Sequence, residues 1–87
     1  MSKTIYIADD DDNIRLAIKA FLEKEDFKVE DFPTGDELLE RFNEEPSDFV
    51  ILDVMMPGSN GFTILKALRA QSIVPIIMLT ARDSDLD

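Results

Sequence analysis

Two segments, DFVILDV (48–54) and VPIIMLTA (74–81), run almost without interruption in apolar residues. A strand with one wet face alternates, whereas a strand covered on both faces reads as a continuous apolar run. These segments therefore call for a sheet with helices on each side. The rest of the chain supplies them. Thr4–Ala8 (TIYIA) is a β-rich run, and after it Ile14, Ala17, Ile18, Phe21 and Leu22 form the stripe of an amphipathic helix. Asp11 or Asp12 caps that helix, since a side-chain oxygen there accepts an orphan backbone N–H. Phe27–Phe32 (FKVEDF) alternates apolar and charged residues, as suits an edge strand. Thr34-Gly35-Asp36-Glu37 is a capping box that opens a second helix with Leu38, Leu39 and Phe42 inward, ended by Asn43 to Pro46. A turn-rich MPGSNG leads to a third helix over 61–71, with Ile64, Leu65 and Leu68 inward. All six phenylalanines (Phe21, Phe27, Phe32, Phe42, Phe49 and Phe62) are core candidates. The order β-α-β-α-β-α-β with short links predicts one domain over 1–87, an α/β open parallel sheet.

Composition narrows the chemistry. The 87 residues contain no cysteine and no histidine, which excludes disulfides, thiolate sites and the usual general base and zinc ligand. Nineteen acidic residues against nine basic ones give a net charge of −10. That balance argues against direct nucleic-acid binding and for a cation or a basic partner. With no apolar stretch of spanning length, the expectation is no membrane segment and a cytoplasmic setting. The three glycines form no phosphate-cradling loop.

Ligands of open parallel sheets lie beyond the carboxyl ends of the strands, where the winding direction reverses. Asp9 and Asp10 follow the first strand, Asp53 ends the third, and Thr80 stands at the same end of the fourth. If strands one and three are neighbours, three carboxylates meet in one crevice. Carboxylates so close need a counter-charge, and a hard divalent cation such as Mg2+ is the natural one.

IYIADDDDNIR, FVILDVMMPGSNGF and VPIIMLTAR resemble the signature blocks of the receiver domain of two-component response regulators. The resemblance implies a flavodoxin-like fold with strand order 2-1-3-4. Asp53 resembles the phosphoacceptor that takes a phosphoryl group from a sensor histidine kinase, a substrate-like role and not that of an enzyme. Asp10 resembles a direct Mg2+ ligand and Asp9 its partner, and Met55 occupies the position whose backbone carbonyl completes the metal site. Thr80 resembles the switch hydroxyl and Ala81 its small neighbour, both contacting the phosphoryl group, while Pro57 and Gly58 shape the loop beside the acceptor. Arg15 and Lys19, as exposed residues of the first helix, are candidates for kinase recognition.

Two other readings compete. A phosphatase of the haloacid-dehalogenase type also pairs an aspartate nucleophile with magnesium, but wants a second aspartate where this chain has Met55. A non-phosphorylatable interaction or oligomerisation module could keep the acidic pocket as a cation site alone. The family pattern continues with a helix, a fifth strand carrying a lysine that contacts the phosphoryl group, and a fifth helix. Since the sequence stops at Asp87, the expectation is a partial receiver without an output domain, with weakened phosphorylation. VPIIMLT would then be an exposed edge that promotes self-association, by edge pairing or exchange of elements.

Overall fold

The computed structural model describes residues 2–54, 56 and 60–79. Along the chain lie β1 (Thr4–Ala8), α1 (Asp12–Lys24), β2 (Lys28–Phe32), α2 (Gly35–Glu44), β3 (Phe49–Asp53), α3 (Gly61–Arg69) and β4 (Ile76–Leu79). The strands form one parallel sheet in the order β2-β1-β3-β4. This is the flavodoxin-like arrangement expected from the sequence. The chain winds outward from β1 to β2, then returns past β1 to β3, so the reversal falls between β1 and β3.

Each helix starts at a polar cap. Asp11 accepts the N–H groups of Asn13 and Ile14 at 2.9 and 3.1 Å, which settles the choice between Asp11 and Asp12. Thr34 accepts the Glu37 N–H at 3.2 Å, and Asn60 accepts that of Thr63 at 3.0 Å. Beyond α1, Asp26 takes a left-handed φ of 72°, a conformation that aspartate tolerates better than most residues.

Alternation along the strands divides the core in two. Tyr6, Ala8, Val50 and Leu52 point to one face, where Leu38 and Phe42 of α2 and Ile64 and Leu68 of α3 cover them. Ile5, Ile7, Val29 and Ile51 point to the other, packed against Ile18 and Leu22 of α1. The inward residues of α2 and α3 are those the helical period selects.

Four expectations need correction. Phe21 and Phe62 are 62% and 56% exposed, so they are not core residues. Ala17 is exposed as well, because the inward stripe of α1 narrows to Ile18 and Leu22, with a charged residue, Arg15, buried in the turn before. Nor are Arg15 and Lys19 exposed candidates for recognition: both turn toward β2 and pair with Asp31. Finally, β4 is not covered on both faces by the described residues. Ile77 is 54% exposed and borders an apolar groove of about 190 Å3 lined by Ile5, Leu22, Phe27, Phe49 and Ile51. The physical reason is the position of α1, which packs on β1 and β2, so that among the described residues no helix covers Ile77.

Candidate metal and phosphoacceptor site

The reversal between β1 and β3 brings their C-terminal ends side by side. Ala8 pairs with Leu52, so the residues that follow, Asp9 and Asp53, emerge next to each other at the same rim. One carboxylate oxygen from each of Asp9, Asp10 and Asp53 lies within 4.8 Å of the others. Asp9 and Asp53 are buried and Asp10 is exposed, so the cluster opens to solvent on one side. The three acidic residues picked out from the sequence are thus brought together. Met55, Pro57, Gly58, Thr80 and Ala81 lie outside the described residues.

Asp9 is held at nearly every polar atom. Its N–H donates to the Phe32 carbonyl at 3.2 Å, and its Oδ1 accepts the Asp11 N–H at 2.9 Å. Its own carbonyl accepts a hydrogen bond from Arg15 Nη1 at 2.8 Å. Only Oδ2 remains, buried and without a hydrogen-bond partner. Burial, and then the negative charge of Asp53, push the Asp9 carboxyl above the usual carboxylate range, against the Asp11 N–H, which lowers it. An acceptor in that condition fits a cation, since a proton or a metal is what relieves it. The donor set is all oxygen, as a hard divalent ion prefers. The cluster can therefore hold such an ion.

Sequence reasoning missed the roles of two residues. Arg15, inside the IYIADDDDNIR block, reaches the Asp9 carbonyl while its other nitrogens pair with Asp31 at 2.8 Å and Asp12 at 2.7 Å. Burial raises the Asp31 carboxyl, but the hydrogen bonds from Arg15 and Lys19 outweigh it, and the net shift is downward. A charged residue placed three before an apolar one in the helical stripe, Arg15 before Ile18, was the available signal. The second is Gly61, whose N–H donates to the Val54 carbonyl at 3.1 Å, directly against the end of β3. Its place at the start of a helix after a turn-rich loop gave no hint of that close approach.

A parallel sheet of order 2-1-3-4, with an acidic cluster at its reversal point, defines the receiver type of α/β domain. Residues 5–87 match the response regulator receiver domain, and the chain belongs to that family. It is 42% identical over 84 residues to the transcriptional regulatory protein RstA of Escherichia coli, covering 97% of this chain and 35% of that protein. It is 40% identical over 85 residues to the regulatory protein VanRB of Enterococcus faecalis, covering 98% and 39%. The chain thus spans little more than a third of the curated relatives it matches. Among solved structures, the chemotaxis protein CheY4 of Vibrio cholerae superposes with a TM-score of 0.89 at 33% identity, over 98% of this chain and 73% of that one. The receiver domain of Klebsiella pneumoniae RstA gives 0.86 at 40% identity, over 94% and 70%. No helix among the described residues is long and apolar enough to cross a membrane.

Proposed function

We propose that Asp53 accepts a phosphoryl group from a sensor histidine kinase in a Mg2+-dependent reaction, and that the chain acts as a phosphoacceptor and not as an enzyme. One observation carries the reading: three carboxylates from two strand ends converge within 4.8 Å while a buried Asp9 oxygen has no hydrogen-bond donor among the described residues. Support comes also from the Klebsiella RstA receiver domain, which was solved in a BeF3-activated form.

In this reading an Asp53 carboxylate oxygen attacks phosphorus, the P–N bond to the donor imidazole breaks, and its electron pair stays on the leaving nitrogen. A carboxylate approaching an anionic phosphoryl group is repelled, so positioning and charge neutralisation do most of the work. Asp9, Asp10 and Asp53, with the Met55 backbone carbonyl, would hold the Mg2+. When bound it supplies positive charge beside the nucleophile and the transferring group. Asp53 is held by β3, whose register against β1 fixes it beside Asp9. The Thr80 hydroxyl would bond the new phosphoryl oxygens, with Ala81 leaving them room. The added charge, about −1.5 to −2 by analogy with other phosphorylated side chains, would then bias the surrounding surface. A cytoplasmic setting fits such a partner.

Incubation with a small phosphodonor and Mg2+, followed by intact-mass measurement, tests the assignment. Whatever label the parent chain gains should be a single phosphoryl group that depends on Mg2+, and Asp53→Asn or addition of a chelator should prevent it. Labelling of Asp53→Asn to the same extent would overturn it.

A second reading has its own observation. Among the described residues β4 ends the sheet, and on its face Ile77 is half exposed beside the apolar groove. We propose that this edge self-associates by strand pairing. Light scattering should show mass rising with concentration; a monomer throughout would rule this out.

A further inference from the structure

Asp9 would be a poor ligand if its backbone could drift, because among the described residues Oδ2 is its one polar atom without a hydrogen bond. Its carbonyl is held by Arg15, which also ties α1 to β2. Arg15 Nη1 donates to the Asp9 carbonyl at 2.8 Å, Nε to Asp31 Oδ2 at 2.8 Å, and Nη2 pairs with Asp12 Oδ1 at 2.7 Å. Lys19 Nζ holds the other Asp31 oxygen at 3.0 Å. A planar guanidinium spreads its donors over three nitrogens in a rigid fork, whereas an ammonium must make all its bonds from one nitrogen.

The charges of this group cancel: Arg15 and Lys19 against Asp12 and Asp31. Arg15 is therefore poorly placed to act as a counter-charge for the acidic cluster, and it meets Asp9 only through the backbone. We propose that Arg15 is a positioning residue for the carboxylate cluster, fixing the Asp9 backbone so that Oδ2 stays aligned with Asp10 and Asp53, and that it thereby sets the affinity for a divalent cation. The inference rests on the metal reading of that cluster and deepens it. Groups that orient metal ligands from behind typically change metal affinity by about 10–100-fold when removed.

Geometry and charge give opposite signs. If Arg15 worked as a nearby positive charge, neutralising it would tighten cation binding and Arg15→Lys would change little. If it positions Asp9, both substitutions weaken binding.

The test is a calorimetric titration of the purified chain with Mg2+ alone, alongside the NMR signal of the Asp11 amide, which donates to Asp9 Oδ1. Arg15→Lys is expected to lower the affinity about tenfold and to shift the Asp11 amide before any metal is added. Asp31→Asn removes one anchor and leaves Arg15 in place; it should give a smaller loss and serves if Arg15→Lys folds poorly. Val74→Ala, a core change on the opposite face of the sheet, should lower the melting temperature without altering the affinity. Parent-like binding by both Arg15→Lys and Asp31→Asn, or tighter binding by Arg15→Gln, would overturn the positioning role while leaving the metal site standing. Failure of the parent chain itself to bind Mg2+ would overturn the metal reading, and this inference with it.

Discussion

Asp9→Asn is expected to raise the melting temperature of the metal-free protein and to abolish the further rise that Mg2+ gives the parent. In the parent, a buried oxygen without a partner faces two other carboxylates. An amide of the same shape removes one negative charge and offers N–H donors to its acidic neighbours. Relief of an unsatisfied buried acceptor is worth about 1–3 kcal/mol. In a domain this small each kcal/mol moves the melting temperature by roughly 4–8 °C. The parent should recover a comparable amount when metal is supplied, about 2.7 kcal/mol at a hundredfold excess over Kd. The variant, lacking a ligand, should not.

The same substitution has a pH signature. Burial and then Asp53 raise the Asp9 pKa in the folded state. A raised carboxyl contributes stability that is fully present below its unfolded-state pKa, about 3.9, and lost as pH rises through the folded-state pKa. In the metal-free parent that contribution should therefore decay toward neutral pH, and in Asp9→Asn it should be missing. The stability difference between the two should be greatest at neutral pH and shrink on acidification. Thermal melts in chelator across the acid range would measure it. A variant less stable than the parent at neutral pH would show that the cluster is not strained by its own charge.

Gly61→Ala should cost about 3 kcal/mol, although alanine is intrinsically the better helix former by about 1 kcal/mol. A Cβ at Gly61 would collide with the Asp53 carbonyl oxygen and approach Val54 Cα to 2.9 Å and the Asp53 carbonyl carbon to 3.1 Å. All three are backbone atoms, so no rotamer change relieves the clash. Either α3 shifts away from the sheet or the end of β3 moves and carries Asp53 with it. The melting temperature and Mg2+ affinity should then fall together. Gly35→Ala is the comparison, because its Cβ would meet side-chain atoms of Ile64 and Met56, which can adjust. Denaturant melts of the two variants decide the matter: a Gly61→Ala protein as stable as the parent would mean that the approach to β3 is looser than described.

How far these features were legible in the sequence differs from one to the next. The inward positions of α2 and α3 follow from the helical period, because Leu38, Phe42, Ile64 and Leu68 are their own signal. Phe21 belongs to an apolar stripe of the same kind, yet it is exposed, because nothing among the described residues packs over that flank of α1. Periodicity states which face of a helix is apolar; it does not state how much of that face a neighbour covers.

At the site, the acidic residues announced themselves by type and by their place at strand ends, while the division of labour among them did not. Asp9 and Asp10 are adjacent in the chain, and successive residues leaving a strand turn to opposite sides. One was therefore bound to go inward, and it is the packing of α1 and β3 that makes it Asp9.

By itself, the order of residues determined the alternation of strands and helices, the capping box that starts α2, and the acidic side chains available at the rim. These are local properties, set by period and by hydrogen bonds within a few residues. Only the tertiary structure decided that Arg15 turns inward to Asp31 and the Asp9 carbonyl, and that Gly61 must lack a side chain. Those outcomes depend on segments far apart in the chain being brought within a few ångströms, and pairing across such distances leaves no periodic trace in any one segment.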